Sequence, residues 1–202
     1  EAVQNNQITI EDAVNLIDHP MDYADIDFDR QKRTGVGEVI YGAGKSQEQI
    51  AGIIQNMLDH DVNMILATRI SKQQYEYLRV LYPDFEYDSM AHTFTYNQNP
   101  HIENKGKIVV VCAGTSDLPV AKEAYVTAQF LGNEVTLISD VGVAGIHRLF
   151  QRLDSILDAN VVVVCAGMEG ALASVVGGLT DKPVIAVPTS VGYGANFQGL
   201  SA

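Results

Sequence analysis

A chain of 202 residues that is 47% hydrophobic and 19% charged is long enough for one large domain or two small ones. It is apolar enough to bury a core, which excludes a disordered tail. Its 25 Asp and Glu against 13 Lys and Arg give a net charge of −12, so a polymer of phosphates is repelled on average and a nucleic-acid-coating role is excluded. No apolar run has the length of a membrane span; the longest, such as Val161–Gly167, are strand-sized. Glu1–Ile10 is polar and lacks a signal peptide's basic and apolar regions, and two cysteines make no disulfide framework. A soluble cytoplasmic protein is the expectation. Because the chain opens on Glu and not Met, residues are also expected upstream.

Along the first half, Thr9 is placed to cap a helix running to about Ile17. Strands are predicted at Glu38–Tyr41, Val62–Ala67 and Phe85–Tyr87, with alternation around Thr93–Tyr96. Ser46-x-x-Gln49 forms a capping box in front of the stripe Ile50, Ile53, Ile54, Met57 and Leu58, and Ser71-x-x-Gln74 repeats it before Tyr75, Leu78 and Leu81. This half is the more acidic, with seven basic and 16 acidic side chains up to residue 100 against six and nine after it. It also holds most of the nine tyrosines. The polar stretch from Asn97 to Lys107 reads as a join, which places domains at 1–104 and 105–202.

After Lys107 the sequence becomes Val-, Ala- and Gly-rich. Ile108–Cys112 is a β-branched run of the kind buried on both faces, followed by a helix opening at Ser116-Asp117-Leu118-Pro119 and closing at Gly132. A strand at Val135–Ile138, a helix at Ile146–Leu157, a strand at Val161–Cys165, a helix at Glu169–Leu179 and a strand at Val184–Val187 follow. Regular alternation of strand and helix predicts a parallel sheet with helices on both faces. The fold class is therefore α/β, a C-terminal doubly wound parallel sheet preceded by a smaller α/β domain.

Two turns in this half repeat one form. Cys112-Ala-Gly114-Thr115-Ser116-Asp117 and Cys165-Ala-Gly167-Met168-Glu169-Gly170 each follow a valine strand, and in a parallel sheet both lie at the carboxyl edge where ligands bind. Glycine admits a ligand to the backbone and the next helix offers amide hydrogens to an anion. Two such turns, joined by the glycine-rich Pro188–Ala195 segment with Thr189, Ser190, Gly192, Tyr193 and Gly194, favour a phosphate-bearing ligand over an ordinary βα connection. Neither turn has the spacing of a dinucleotide fingerprint or a P-loop.

Ser116 and Asp117 are candidates to hold phosphate and ribose, with helix capping as the other role open to them. His147 and Arg148 are candidates to face phosphates. Asp140 is a candidate binder with them, although two ligands make a weak metal signal. Arg30, Arg33 and Lys45 offer positive charge to a dinucleotide, or pair with Asp25, Asp27 and Asp29.

Gly114-Thr115-Ser116-Asp117 with Pro119, His147-Arg148, Ala166–Leu179 and Pro183–Pro188 together resemble the PurE-type aminoimidazole ribonucleotide carboxylases and mutases. Gly145-Ile146 stand where that family has Ser-Ala. Asp27-x-x-Arg30-x-x-Arg33-x-Gly35-x-x-Glu38-Val39 with Gly44-Lys45 resembles the opening segment of the LarB family. So does Gly167-Met-Glu-Gly-Ala-Leu-Ala-Ser-Val-Val-Gly-Gly-Leu followed by Lys182–Ala195. That resemblance runs from about Asp27 to the end. It implies an N-terminal domain joined to a PurE-like, three-layer domain.

The activity it implies is carboxylation of the pyridinium ring of nicotinic acid adenine dinucleotide and cleavage of the phosphoanhydride, giving pyridinium-3,5-biscarboxylic acid mononucleotide and AMP for a nickel-pincer cofactor. Carbon dioxide or bicarbonate is the implied co-substrate, Mg²⁺ the implied aid to hydrolysis, and a symmetric homo-oligomer the implied assembly, with an octamer as its suggested size. A cysteine thiolate activates the ring in that family, and a base then removes the ring proton. Glu169 is the candidate base, or else a first-turn carboxylate favoured by its helix dipole. The resemblance places the nucleophile beyond Ala202, and Cys112 and Cys165 read as packing. The other expectations are a PurE-type mutase and, from a different class, a noncatalytic nucleotide-binding sensor on the same scaffold.

Overall fold

The computed structural model describes residues 23–97 and 106–192. The helix expected at Thr9–Ile17 and Tyr193 lie outside them. The first half contains α1 (Arg30–Thr34), β1 (Ile40–Tyr41), α2 (Gln47–Asp59), β2 (Ile65–Thr68), α3 (Lys72–Leu81), β3 (Glu86–Asp88) and β4 (Thr93–Tyr96). The second contains β5 (Lys107–Cys112), a 3₁₀ turn at Thr115–Asp117, α4 (Leu118–Phe130), β6 (Glu134–Ile138), α5 (Ile146–Phe150), α6 (Leu153–Leu157), β7 (Val161–Ala166), α7 (Ala171–Leu179) and β8 (Val184–Pro188). No helix among the described residues is long and apolar enough to cross a membrane.

Both capping boxes form. Ser46 Oγ accepts from Gln49 N at 3.2 Å while Gln49 Oε1 accepts from Ser46 N at 2.9 Å, and Ser71 and Gln74 exchange the same pair of bonds. Each cap is worth about 1 kcal/mol. The Gln74 amide also donates to Gly42 O and Lys45 O, so the start of α3 holds the loop after β1. The N-terminal sheet has the order β1-β2-β4-β3, parallel in its first pair and antiparallel in the other two. One face carries Ile65, Ala67 and Phe94 into a core with Ile50, Ile53, Ile54, Met57 and Leu78 of α2 and α3.

The C-terminal sheet is parallel throughout, in the order β6-β5-β7-β8. Val109, Val111, Val162 and Val164 turn one way, onto Leu149 of α5, Ile156 of α6, and Leu172 and Val176 of α7. Val110, Cys112 and Cys165 turn the other way, onto Ala121 of α4. A period of two with apolar residues in both phases is what helices on both faces demand. This is the doubly wound α/β arrangement predicted. From β5 the chain moves outward to β6 and then back across to β7, so the carboxyl ends of β5 and β7 flank a topological switch point.

Some expected elements change in detail, and one helix is added. The helix at Ile146–Leu157 is two short helices, because Arg152 N closes a tight turn onto Leu149 O at 2.9 Å. The helix expected from Glu169 starts at Ala171, since Met168 (φ 57°) and Gly170 (φ 68°) are left-handed and keep Glu169 in the preceding turn. The strand expected at Val62–Ala67 starts at Ile65, the Val62 amide instead bonding to Met57 O to close α2. Helix α1 was not foreseen: its five residues bury nothing, so no apolar period announces it.

Candidate functional site

The carboxyl edge of the parallel sheet gathers three loops. Cys112 and Cys165 are register partners in adjacent strands, so the turns that follow them start side by side. The loop after β8 closes over both. Thr189 N donates to Ala166 O at 3.0 Å, and Met168 N donates to Val191 O at 2.7 Å. Gly167 is required there: a Cβ would stand 2.2 Å from Val191 O and 2.9 Å from Thr189 Oγ1. A fourth segment approaches where Val141 N donates to Cys112 O and Gly142 lies against the Ala113 carbonyl.

Asp117 ties these loops together. It is buried, and its carboxylate accepts from Thr189 Oγ1 at 2.6 Å and from Gly114 N at 3.0 Å. The carboxylate is thus engaged by the protein's own donors. Its neighbours Thr115 and Ser116 are exposed at the tip of the turn, where their hydroxyls are open to a ligand. Glu169 is exposed too, lifted out between two left-handed residues, and Ser190 and Gly192 are exposed on the third loop. The structure therefore brings Gly114, Thr115, Ser116, Asp117, Gly167, Met168, Glu169, Gly170, Thr189, Ser190 and Gly192 to one edge. The backbone carbonyl of Val191 belongs with them, and no side-chain pattern announces a strap made by a main-chain oxygen.

Asp140 follows β6 at φ 58° and is joined by an ion pair to Arg148 Nη1. The guanidinium lies across Gly145, where a Cβ would meet Arg148 Nε at 2.6 Å. His147 stands exposed beside it on α5. Arg148 thus comes with a carboxylate attached, which lowers the net charge it offers to an anion.

Arg30 and Arg33 pair with carboxylates inside the N-terminal half, and Lys45 bonds to a backbone carbonyl there. Arg33 makes a two-pronged pair with Asp27 at 3.0 and 2.5 Å, which holds the Asp27 carboxyl below the usual carboxylate range. Arg30 lies 3.9 Å from Glu38, and Lys45 Nζ donates to Tyr41 O at 3.0 Å. Arg33 and Asp27 line an open cleft of about 560 Å³ with Asp25, Phe28 and His60, whose rings stack at 4.2 Å.

The thiols at the strand ends are fully buried. Burial first, then the charges of Cys112 and Asp117, push Cys165 up to about 12. Burial also raises Cys112. Neither serves as a thiolate nucleophile at neutral pH. For the Mg²⁺ implied by the resemblance, no group of three His, Cys, Asp or Glu side chains among the described residues is placed to hold a metal, and Asp140 is already paired. Among the described residues the side chains alone therefore offer no ready-made cage for an ion.

A parallel sheet of this order, with three glycine-bearing loops at one carboxyl edge, defines a PurE-like α/β domain. The family model for AIR carboxylase matches residues 107–202, and that for the LarB/PurE-like N-terminal domain matches residues 18–98. The chain belongs to the LarB family. It is similar to an uncharacterized protein of Methanocaldococcus jannaschii, 39% identical over 183 residues, or 87% of this chain and 71% of the relative. It is also similar to an N5-carboxyaminoimidazole ribonucleotide mutase of the same organism. That match is 35% identical over 98 residues, 47% of this chain and 57% of the relative.

Proposed function

We propose that this protein carboxylates the pyridinium ring of nicotinic acid adenine dinucleotide and cleaves its phosphoanhydride, releasing pyridinium-3,5-biscarboxylic acid mononucleotide and AMP. The observation that carries the reading is the pairing, in one chain, of a LarB/PurE-like N-terminal domain with an AIR carboxylase domain. The AIR carboxylase match supports a carboxylase-family role, and its pairing with a LarB/PurE-like N-terminal domain favours the dinucleotide reaction. A nucleophile first adds to the electron-poor ring, a ring carbon then attacks carbon dioxide to form the C–carboxylate bond, and a base takes the proton from that carbon as the nucleophile leaves and aromaticity returns. Water is consumed in opening the P–O–P bridge.

On this reading Glu169 takes the ring proton. Its exposure at the mouth of the β7 turn lets it reach a bound ring, whereas Asp117, saturated by two donors, holds the site's shape. Ser116, Thr115 and the amides of the first turn receive phosphate oxygens, and Ser190 and Gly192 close over the ligand. Arg148, with His147, stands beside this edge to meet the second phosphate.

The test incubates the natural full-length protein with nicotinic acid adenine dinucleotide, bicarbonate and Mg²⁺ and reads the small molecules by mass spectrometry. AMP together with a mononucleotide one carboxyl group heavier than nicotinate mononucleotide is the expected result. An untouched dinucleotide overturns the proposal. Turnover of a carboxyaminoimidazole ribonucleotide in a parallel assay would move the assignment to the mutase chemistry of the second relative.

A further inference from the structure

Thr189, a candidate ligand contact by its place in the sequence, is only 5% exposed, and its hydroxyl is turned into the protein. The hydroxyl donates to Asp117 Oδ1 at 2.6 Å and accepts from Val191 N at 3.4 Å. The Thr189 amide donates to Ala166 O at 3.0 Å. Donor and acceptor are both in use, so the residue is pinned to the end of β7 and to the first turn at once. The backbone it fixes is that of Val191.

The Val191 carbonyl meets the second turn. It accepts from Met168 N at 2.7 Å, and a Cβ on Gly167 would stand 2.2 Å from it. Met168 is left-handed at φ 57°, a conformation that is costly for a residue bearing a Cβ, and the short bond to Val191 offsets that cost. Together with the left-handed Gly170 it keeps Glu169 in the turn. Right-handed torsions at these two positions would carry Glu169 into the first turn of α7, where the sequence pattern expects it.

We infer that Thr189 is a positioning residue for Glu169: by seating the Val191 carbonyl on the Met168 amide, its hydroxyl holds Glu169 outside α7 and exposed at the sheet edge. The inference rests on the carboxylation reading, in which Glu169 takes the ring proton. With its hydroxyl engaged by Asp117 and Val191, Thr189 acts through the backbone and not on the ligand. A base displaced by about 1 Å loses about a hundredfold in rate, so a small shift of the turn is enough.

The test compares Thr189→Val, which keeps the shape and removes the hydroxyl, with Thr189→Ser, which keeps the hydroxyl, in the full-length protein. With nicotinic acid adenine dinucleotide and bicarbonate, Thr189→Val is expected to lower kcat about tenfold or more while KM for the dinucleotide stays within about twofold, and Thr189→Ser to regain most of the rate. Hydrogen exchange gives a readout that needs no turnover: the Met168 amide is expected to lose protection about tenfold in Thr189→Val and to keep it in Thr189→Ser. Added to Glu169→Gln, Thr189→Val should lower kcat by less than about twofold more, because its route runs through the missing carboxylate. Should Thr189→Val not fold, Gly167→Ala, which pushes the Val191 carbonyl off Met168, takes its place in the exchange and double-variant measurements.

Two results overturn the inference: an equal loss of rate with and without the Glu169 carboxylate, or a Met168 amide indifferent to the substitution. Wild-type protein that leaves the dinucleotide untouched overturns the carboxylation reading and with it this role in the reaction. That failure is told apart from the other two by the Met168 amide, which would still respond to loss of the hydroxyl.

Discussion

Two turns of this protein begin with the same letters and end in opposite roles. After β5, Cys112-Ala-Gly114 leads into a 3₁₀ turn that drives Asp117 inward, where Thr189 and Gly114 occupy its carboxylate. After β7, Cys165-Ala-Gly167 leads into two left-handed residues that hold Glu169 out in solvent. One acid is engaged by the protein itself and the other is left exposed. The backbone torsions that follow the shared motif therefore decide which carboxylate stays accessible at the sheet edge.

The largest expected effect separates the two acids by function. Glu169→Gln should lower turnover of the proposed carboxylation by about a hundredfold or more, the typical contribution of a general base. Its stability in urea should stay within about 0.5 kcal/mol of wild type, as expected of an exposed side chain. Full activity in this variant would move the base elsewhere and remove the contrast.

Asp117→Asn is the converse test. The amide keeps one acceptor for Gly114 N but sets a donor against Thr189 Oγ1, so that hydroxyl must turn to accept and two charge-assisted bonds in a buried place become neutral ones. The expected cost is about 2 kcal/mol in urea unfolding. Any loss of activity should follow from disorder of the three loops, visible as weakened protection of the Gly114 and Thr189 amides from hydrogen exchange. Unchanged stability would show that Asp117 does not hold the edge together.

Much of this was legible in the residues themselves. The β-branched runs from Ile108 and Val161, apolar in both phases, define a sheet covered on two faces, and Ser46 and Ser71 announce their helices by local chemistry alone. The difference between Asp117 and Glu169 was not legible, because it rests on Thr189, 72 residues from Asp117 in sequence. The same holds for Arg33 and Lys45: their partners Asp27 and Tyr41 are close in sequence, yet whether a cation is spent locally or offered to a ligand depends on side-chain geometry that spacing does not set. The polar face of Thr93 and Thr95 was visible as alternation, but α4, the helix packed on β4, lies in the other half of the chain.

Beneath the turns, the two cysteines give the comparison a pH dependence. Burial raises Cys165 from the ordinary 9.0 to about 12 and raises Cys112 as well. The folded state therefore favours the neutral thiols, and the stability this provides is complete below pH about 9 and is lost as pH rises toward 12. Urea midpoints measured at increasing pH should fall in that window, and less steeply in Cys165→Ala. A thiol-specific reagent at pH 8 should label neither cysteine until the protein is unfolded. Rapid labelling of the native protein would show that the strand ends open to solvent.

The paired glycines bear most directly on why the turns diverge. At Gly167 a Cβ would collide with the Val191 carbonyl at 2.2 Å, and backbone yields less readily than a side-chain tip. Gly167→Ala should cost about 1–3 kcal/mol and loosen the loop after β8. At Gly114 the nearest obstacle is Asp117 Oδ2 at 3.6 Å, an ordinary contact, and φ is −136°, which any residue adopts. Gly114→Ala should stay within about 0.5 kcal/mol of wild type, while the added methyl narrows the approach of a ligand to the first turn. Equal costs at the two positions would mean that the strap from Val191 does not press on Gly167 in solution. A near-neutral Gly114→Ala that nonetheless weakens dinucleotide binding would place the ligand against the first turn, with the second turn shaped by the protein's own third loop.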